Sequence, residues 1–329
     1  MSTELEALKR RVALPAGWQL SDSLIETTSV GGLQILVAGL VAEKGELSAF
    51  GSAAHSELDP APRAYYELIE RAVLLDAMQS TTPLCVRNEQ GVQLEEHDPG
   101  EVFPQSPEPT HWQYAKSNGV ALGQNWADAC ERAMLELIER DLVLRAWYGQ
   151  LLPQRCSVDW FHAELAESYD FEVYGLERDG FHAGLALGWP KASHAPLLLG
   201  LSAAREPEAA LRSAYHEALQ RLGFLWGEDI PEKEPPFEPT PGYHQEYYLW
   251  PARHTALRHW LAGDHRPHAT GLAAPGKLSA QDFRFVDLAD IGGLRVVKAL
   301  NPQCLPAVFG RGGPFARGLP EALSVHPIA

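Results

Sequence analysis

Cysteine is scarce in this 329-residue sequence: Cys85, Cys130, Cys156 and Cys304 are the four, and no two form a C-x-x-C pair. That spacing excludes a zinc knuckle and suits reduced thiols in a cytoplasm. No apolar run approaches the roughly 18 residues that span a bilayer, so no membrane role is expected. The opening Met-Ser-Thr-Glu-Leu-Glu carries early acid where a signal peptide would have its apolar core. Basic residues number 27 against 43 acidic ones, a net charge of −16. With that balance and no basic cluster, nucleic-acid binding through phosphates is not expected. Neither G-x-x-x-x-G-K-[ST] nor G-x-G-x-x-G occurs, and H-E-x-x-H and G-x-S-x-G are also missing. A nucleotide site in this chain must be built without a glycine-rich loop.

What is present is ordinary globular material, 45% hydrophobic and 21% charged, long enough to bury a core without staples. Residues 33–41 and 47–54 read as strands around a turn at 43–46. Asp59-Pro60 opens a helix running to about Gln79. A second hairpin is expected at 83–87 and 92–96, then a proline-rich loop at 98–110. A strand at 112–122 leads to a helix capped by Asn125 and ending near Tyr148. Residues 171–177 and 182–189 read as a hairpin, 196–203 as a buried strand, and 207–226 as a third long helix. A charged proline-rich loop covers 231–241, and 294–300 is a late strand. Hairpins alternating with long helices predict an α/β or α+β fold with helices packed on sheets.

One pentapeptide occurs twice. Glu67-Leu68-Ile69-Glu70-Arg71 returns unchanged as Glu136-Leu137-Ile138-Glu139-Arg140, each inside a predicted helix. Positions i, i+3 and i+4 share a helix face, so each copy presents two carboxylates and a guanidinium together. The third helix adds Glu217 and Gln220 at the same spacing. A single E-x-x-E-R is ordinarily an exposed ion pair worth ~0.3–0.5 kcal/mol. Three such faces meeting at one place would be costly unless cations joined them. Magnesium takes carboxylate, water and phosphate oxygens, and Arg71 and Arg140 would grip phosphate as planar forks.

These residues resemble the YcaO family. Residues 117–140 (SNGVALGQNWADACERAMLELIER) are similar to its S-N-G … E-x-x-E-R signature, and 208–229 to its E-A-x-Q-x-R-L segment. Residues 295–302 resemble its late strand running into proline, and the tail Val325-His326-Pro327-Ile328-Ala329 its His-Pro ending. The resemblance spans about 50–329, leaving 1–49 as an N-terminal segment before one ATP- and magnesium-binding domain. By it, Glu67, Glu70, Glu136, Glu139, Glu217 and Gln220 would hold Mg2+ and phosphate. Arg71, Arg140 and Arg221 would contact phosphate or fix the glutamates, and Ser117, Asn118 and Gln124 would line the nucleotide pocket. A base is needed for the attacking group; His326 and the Ala329 end are candidates by position, with an exposed tail histidine as the plainer reading of His326. The sequence departs from relatives at Gly51-Ser52-Ala53-Ala54-His55, which lacks the lysine of a G-K-G-like stretch, and at its His-Pro-Ile-Ala tail, where azoline-forming members carry P-x-P-x-P.

What the resemblance implies is ATP-dependent activation of a backbone amide in a ribosomally made precursor peptide. Attack by Cys, Ser or Thr then gives a thiazoline or oxazoline. Thioamide or amidine formation by the same fold is an alternative, as is a non-catalytic scaffold. Nothing before residue 50 resembles a leader-peptide-binding, ubiquitin-activating-enzyme-like domain, so that partner is expected on a separate chain. A flavin-dependent dehydrogenase and a second copy of this chain are further expected partners.

Overall fold

The computed structural model describes residues 3–264, 272, 274–311, 313–315 and 324–329. Helix α1 (Thr3–Arg11) precedes three long strands, β1 (Gln19–Val30), β2 (Leu33–Lys44) and β3 (Leu47–His55), and helix α2 (Ala61–Met78). Strands β4 (Leu84–Arg87) and β5 (Gln93–His97), short helix α3 (Pro99–Val102), and strands β6 (Trp112–Tyr114) and β7 (Val120–Gly123) lead to α4 (Trp126–Trp147). Strands β8 (Gln154–Cys156), β9 (Tyr169–Arg178), β10 (Phe181–Pro190) and β11 (Leu198–Ala204) lead to α5 (Pro207–Leu225). Helices α6 (Pro241–Leu249) and α7 (His254–Ala262) and strands β12 (Arg284–Ile291), β13 (Leu294–Leu300) and β14 (Val308–Gly310) complete the chain. This is a mixed α/β architecture.

The sheets are antiparallel and ordered β1-β2-β3, β11-β10-β9-β8, β5-β4-β12-β13-β7 and β14-β6. Strand β2 shows why its sequence is a continuous apolar run. Ala38, Leu40 and Ala42 pack with α2, while Ile35 and Val37 point the other way, onto α5. Both faces are buried, so alternation of polar and apolar residues disappears. Helix α5 lies in turn on β10 and β11, and α4 packs between that sheet and β7 and β13. The three long helices thus come together, each backed by a sheet.

The predicted hairpins and long helices agree with these elements within a few residues. The strand expected over 112–122 is instead two strands in different sheets, because Gly119 turns the chain with φ +72° between them. The loop expected at 98–110 contains α3, whose Asp98 and Glu101 form a capping box. Helices α1, α6 and α7, each nine residues long, and strands β1, β8, β12 and β14 were not predicted. Residue 50 lies within β3, whose sheet contains residues from both sides of that expected boundary. Among the described residues, no helix is long and apolar enough to cross a membrane.

Candidate functional site

Helices α2, α4 and α5 turn their glutamate faces into one cavity of about 700 Å³. Glu67, Glu70 and Arg71 reach it from α2, Glu136, Glu139 and Arg140 from α4, and Glu217 and Gln220 from α5. The helices are held close by strand glycines. A Cβ on Gly51 of β3 would lie 2.1 Å from Ala64 O of α2, and one on Gly200 of β11 would lie 1.9 Å from Ala214 O of α5. No side chain fits in either place.

Backbone amides then hold the carboxylates. Ser52 N–H donates to Glu67 Oε2 at 3.0 Å, Leu122 N–H to Glu70 Oε2 at 2.9 Å, and Leu201 N–H to Glu217 Oε2 at 3.1 Å. The Gly119 N–H does the same for Glu136. Arg140 Nη2 pairs with Glu136 Oε1 at 2.8 Å and Arg71 Nη2 with Glu67 Oε1 at 3.4 Å. Each glutamate keeps some surface open to the cavity, but protein surrounds it otherwise. Desolvation therefore raises the pKa of Glu70 to about 8, helped by Glu136. It also raises Glu136, Glu139 and Glu217, with Glu217 adding to the rise at Glu139.

This donor set fits a magnesium–phosphate ligand better than a bare ion. Among the described residues, no three His, Cys, Asp or Glu side chains converge to hold one metal ion. Magnesium characteristically uses one or two carboxylates with water and phosphate oxygens, which needs no protein cage. Arg140 lines the cavity, and its Nε is buried without a hydrogen-bond partner. Desolvation disfavours the ionised form of these carboxylates, and a bound cation would favour it.

The remaining predicted residues fall at varied distances from the cavity. Gln124 is on its wall. Asn118 stands one layer behind, buried, its Oδ1 accepting from Arg140 Nη1 at 3.4 Å. Ser117 lines an adjoining cavity of about 490 Å³ that shares Glu67 and Arg71. Arg221 is turned toward the chain end and donates to the main-chain oxygen of Ala329 at 3.3 Å. His326 is not an exposed tail histidine: it is 1% exposed. Its Nε2 donates to Val308 O at 2.6 Å, and its own carbonyl accepts from His244 Nδ1 at 2.9 Å. Burial pushes its pKa well below the ordinary value, so the ring is neutral, and it is not on the cavity wall.

Sequence reasoning missed Ser52, Arg63, Tyr66, Asp128 and Arg132, which also line the cavity. Arg63 and Arg132 both stand four residues before the first glutamate of an E-x-x-E-R copy, a spacing the sequence displays. Lys298 was missed too. Its Nζ donates to Lys116 O at 3.1 Å and to Asn118 O, and it faces Glu136. Burial lowers its pKa to about 7. A lysine inside the apolar run LRVVKAL was the available signal.

A family model described as "YcaO cyclodehydratase, ATP-ad Mg2+-binding" matches residues 99–305. The chain belongs to the YcaO family. ATP and Mg2+ are the ligands that description assigns to YcaO proteins. Among solved structures, YcaO from Methanopyrus kandleri bound with AMPPCP and Mg2+ is similar at 16% identity and TM-score 0.58, over 90% of this chain and 89% of that one. A chain of the E. coli microcin synthetase McbBCD complex with pro-MccB17 bound is similar at 14% identity and TM-score 0.55, over 88% of each. At such identities the likeness is one of fold. No curated protein matches the sequence.

Proposed function

We propose that this YcaO protein is the cyclodehydratase component of a peptide-modifying system, forming thiazoline or oxazoline rings at the expense of ATP. The observation that carries the reading is the convergence of five glutamates, Gln220 and two arginines from three helices on one cavity. In it, Glu67, Glu70, Glu136, Glu139, Glu217 and Gln220 hold Mg2+ and the phosphates. Arg71 and Arg140 hold phosphate, Gln124 lies against the nucleotide, and Asn118 orients Arg140. Bound magnesium would neutralise charge on the transferring phosphoryl group.

The amide oxygen of the precursor peptide takes the terminal phosphoryl group and ADP leaves. A Cys, Ser or Thr side chain adds to the same carbonyl carbon. The amide oxygen departs as phosphate, and loss of the thiol or hydroxyl proton and the amide proton leaves a C=N bond in the ring. No enzyme nucleophile is needed. A cavity carboxylate that magnesium leaves uncoordinated would be the group to take the proton. A leader-binding chain supplies the peptide in this reading, and an azole product would need a flavin-dependent dehydrogenase.

The test has two stages. Mg-ATP is titrated calorimetrically into the protein and a Glu136→Ala/Glu139→Ala variant; the reading requires binding that depends on both magnesium and these glutamates. A precursor peptide and its leader-binding chain are then added. Each ring should cost the peptide the mass of one water and release one ADP. An oxygen-for-sulfur mass change would replace azoline with thioamide, and no nucleotide binding even with the partner would leave a scaffold.

A further inference from the structure

The large cavity does not end at the glutamates. A second cavity of about 370 Å³ adjoins it, and Arg63, Glu139 and Glu217 line both. The cations around the large cavity are nearly all engaged. Arg71 is paired with Glu67, Arg132 with Asp128 at 2.9 Å, and Arg140 with Glu136. Arg221 donates to Ala329 O and Lys298 to two main-chain oxygens. Arg63 has no acidic or hydrogen-bonding partner among the described residues, although its charge reaches Glu217 and His216. It sits in the first turn of α2, where the helix dipole is itself positive; no acidic residue lies in that turn, and the Asp59 carboxylate just before it is engaged by Ala61 N–H at 3.0 Å. An arginine in that position gains nothing from its own helix.

We propose that Arg63 is a phosphate-binding residue of this site, and that the end of the nucleotide's phosphate chain lies at the junction of the two cavities. The proposal rests on the ATP-dependent reading above. A planar guanidinium with all its donors free matches phosphate oxygens in two-bond fashion, whereas the paired arginines must share theirs with carboxylates. The junction also places the phosphate end beside Glu139 and Glu217, so the smaller cavity is the path by which a second substrate would reach it.

The experiment is calorimetric titration of wild type, Arg63→Ala and Arg63→Lys with Mg-ATP and, separately, with adenosine, adding the leader-binding chain if the protein needs it. Arg63→Ala should bind Mg-ATP roughly tenfold to a hundredfold more weakly, the effect expected for charged hydrogen bonds, with adenosine affinity unchanged. Arg63→Lys should recover part of the loss. Unchanged Mg-ATP affinity in Arg63→Ala would make Arg63 an ordinary surface arginine and overturn the proposal. So would parallel losses for Mg-ATP and adenosine. Failure of wild type to bind Mg-ATP would instead overturn the functional reading on which the proposal stands.

Discussion

The unit formed by β3 and α2 and the unit formed by β11 and α5 present glutamate by the same device. Gly51 and Gly200 each press against a helix carbonyl, of Ala64 and Ala214 respectively. The next strand residue in each case, Ser52 or Leu201, donates its amide to the glutamate three positions further along that helix, Glu67 or Glu217. The two units then diverge. Helix α2 continues to Glu70 and a half-exposed Arg71, and α5 to Gln220 and a part-buried Arg221 that donates to Ala329 O. By contrast, α4 carries the pentapeptide of α2 unchanged but meets its strand differently, with Gly123 opposite Ala129 and the Glu136 amide supplied by the turn at Gly119. Structural equivalence therefore follows the glycine and the amide rather than the pentapeptide, because the close backbone approach decides where a carboxylate ends up.

Breaking the shared device should have the largest effect. Gly51→Ala and Gly200→Ala each force a methyl into helix backbone, and each is expected to cost ~3 kcal/mol or more in urea unfolding. If only one is costly, the two units are not equivalent. Removing the matched carboxylates comes next. Glu67→Gln and Glu217→Gln should each weaken Mg-ATP binding by about 2 kcal/mol, read by calorimetry, as charged hydrogen bonds are lost.

Making α2 resemble α5 sharpens the comparison further. Glu70 has its folded pKa raised to about 8, above its unfolded value. As pH rises from about 4.5 to about 8, the unfolded chain ionises first, so the metal-free protein loses stability across that window and regains it on acidification. Glu70→Gln should flatten this dependence and be more stable by about 2 kcal/mol at pH 8, discounted for the open cavity. Gln220→Glu should steepen it. Chemical unfolding without magnesium across pH 5–8 checks both signs. The smallest effect is expected at Arg71→Ala, whose 3.4 Å ion pair with Glu67 is partly exposed and contributes roughly 0.5 kcal/mol to folding.

The three helices and their hairpins were readable because each combines a strong pattern with a stop: Pro60, Asn125 and Pro207 at helix starts, and apolar runs at 33–41 and 196–203. Glu67, Glu70, Glu136, Glu139 and Arg140 were readable from the repeat, Glu217 and Gln220 from the same spacing, and Gln124 only from the family resemblance. The position of His326 was not. A lone histidine between Val325 and Pro327, outside any helical or strand periodicity, offers no burial signal, and only its bonds to Val308 and His244 place it in the core. Lys298 and Arg63 escaped for a related reason. A charged residue is ordinarily solvated, and only the packing of distant segments reveals that one is buried and the other unpartnered.

Sequence alone determined the three long helices, their E-x-x-E/Q-R faces and the family resemblance, because helical periodicity and motif spacing are local properties that survive without knowledge of neighbours. Tertiary structure decided that those faces meet, which strand amides hold them, that Ser117 and Asn118 stand off the main cavity, and that Arg63 has no partner among the described residues. Those outcomes depend on how closely one backbone can approach another, a distance set by glycines far away in sequence and written in no single segment.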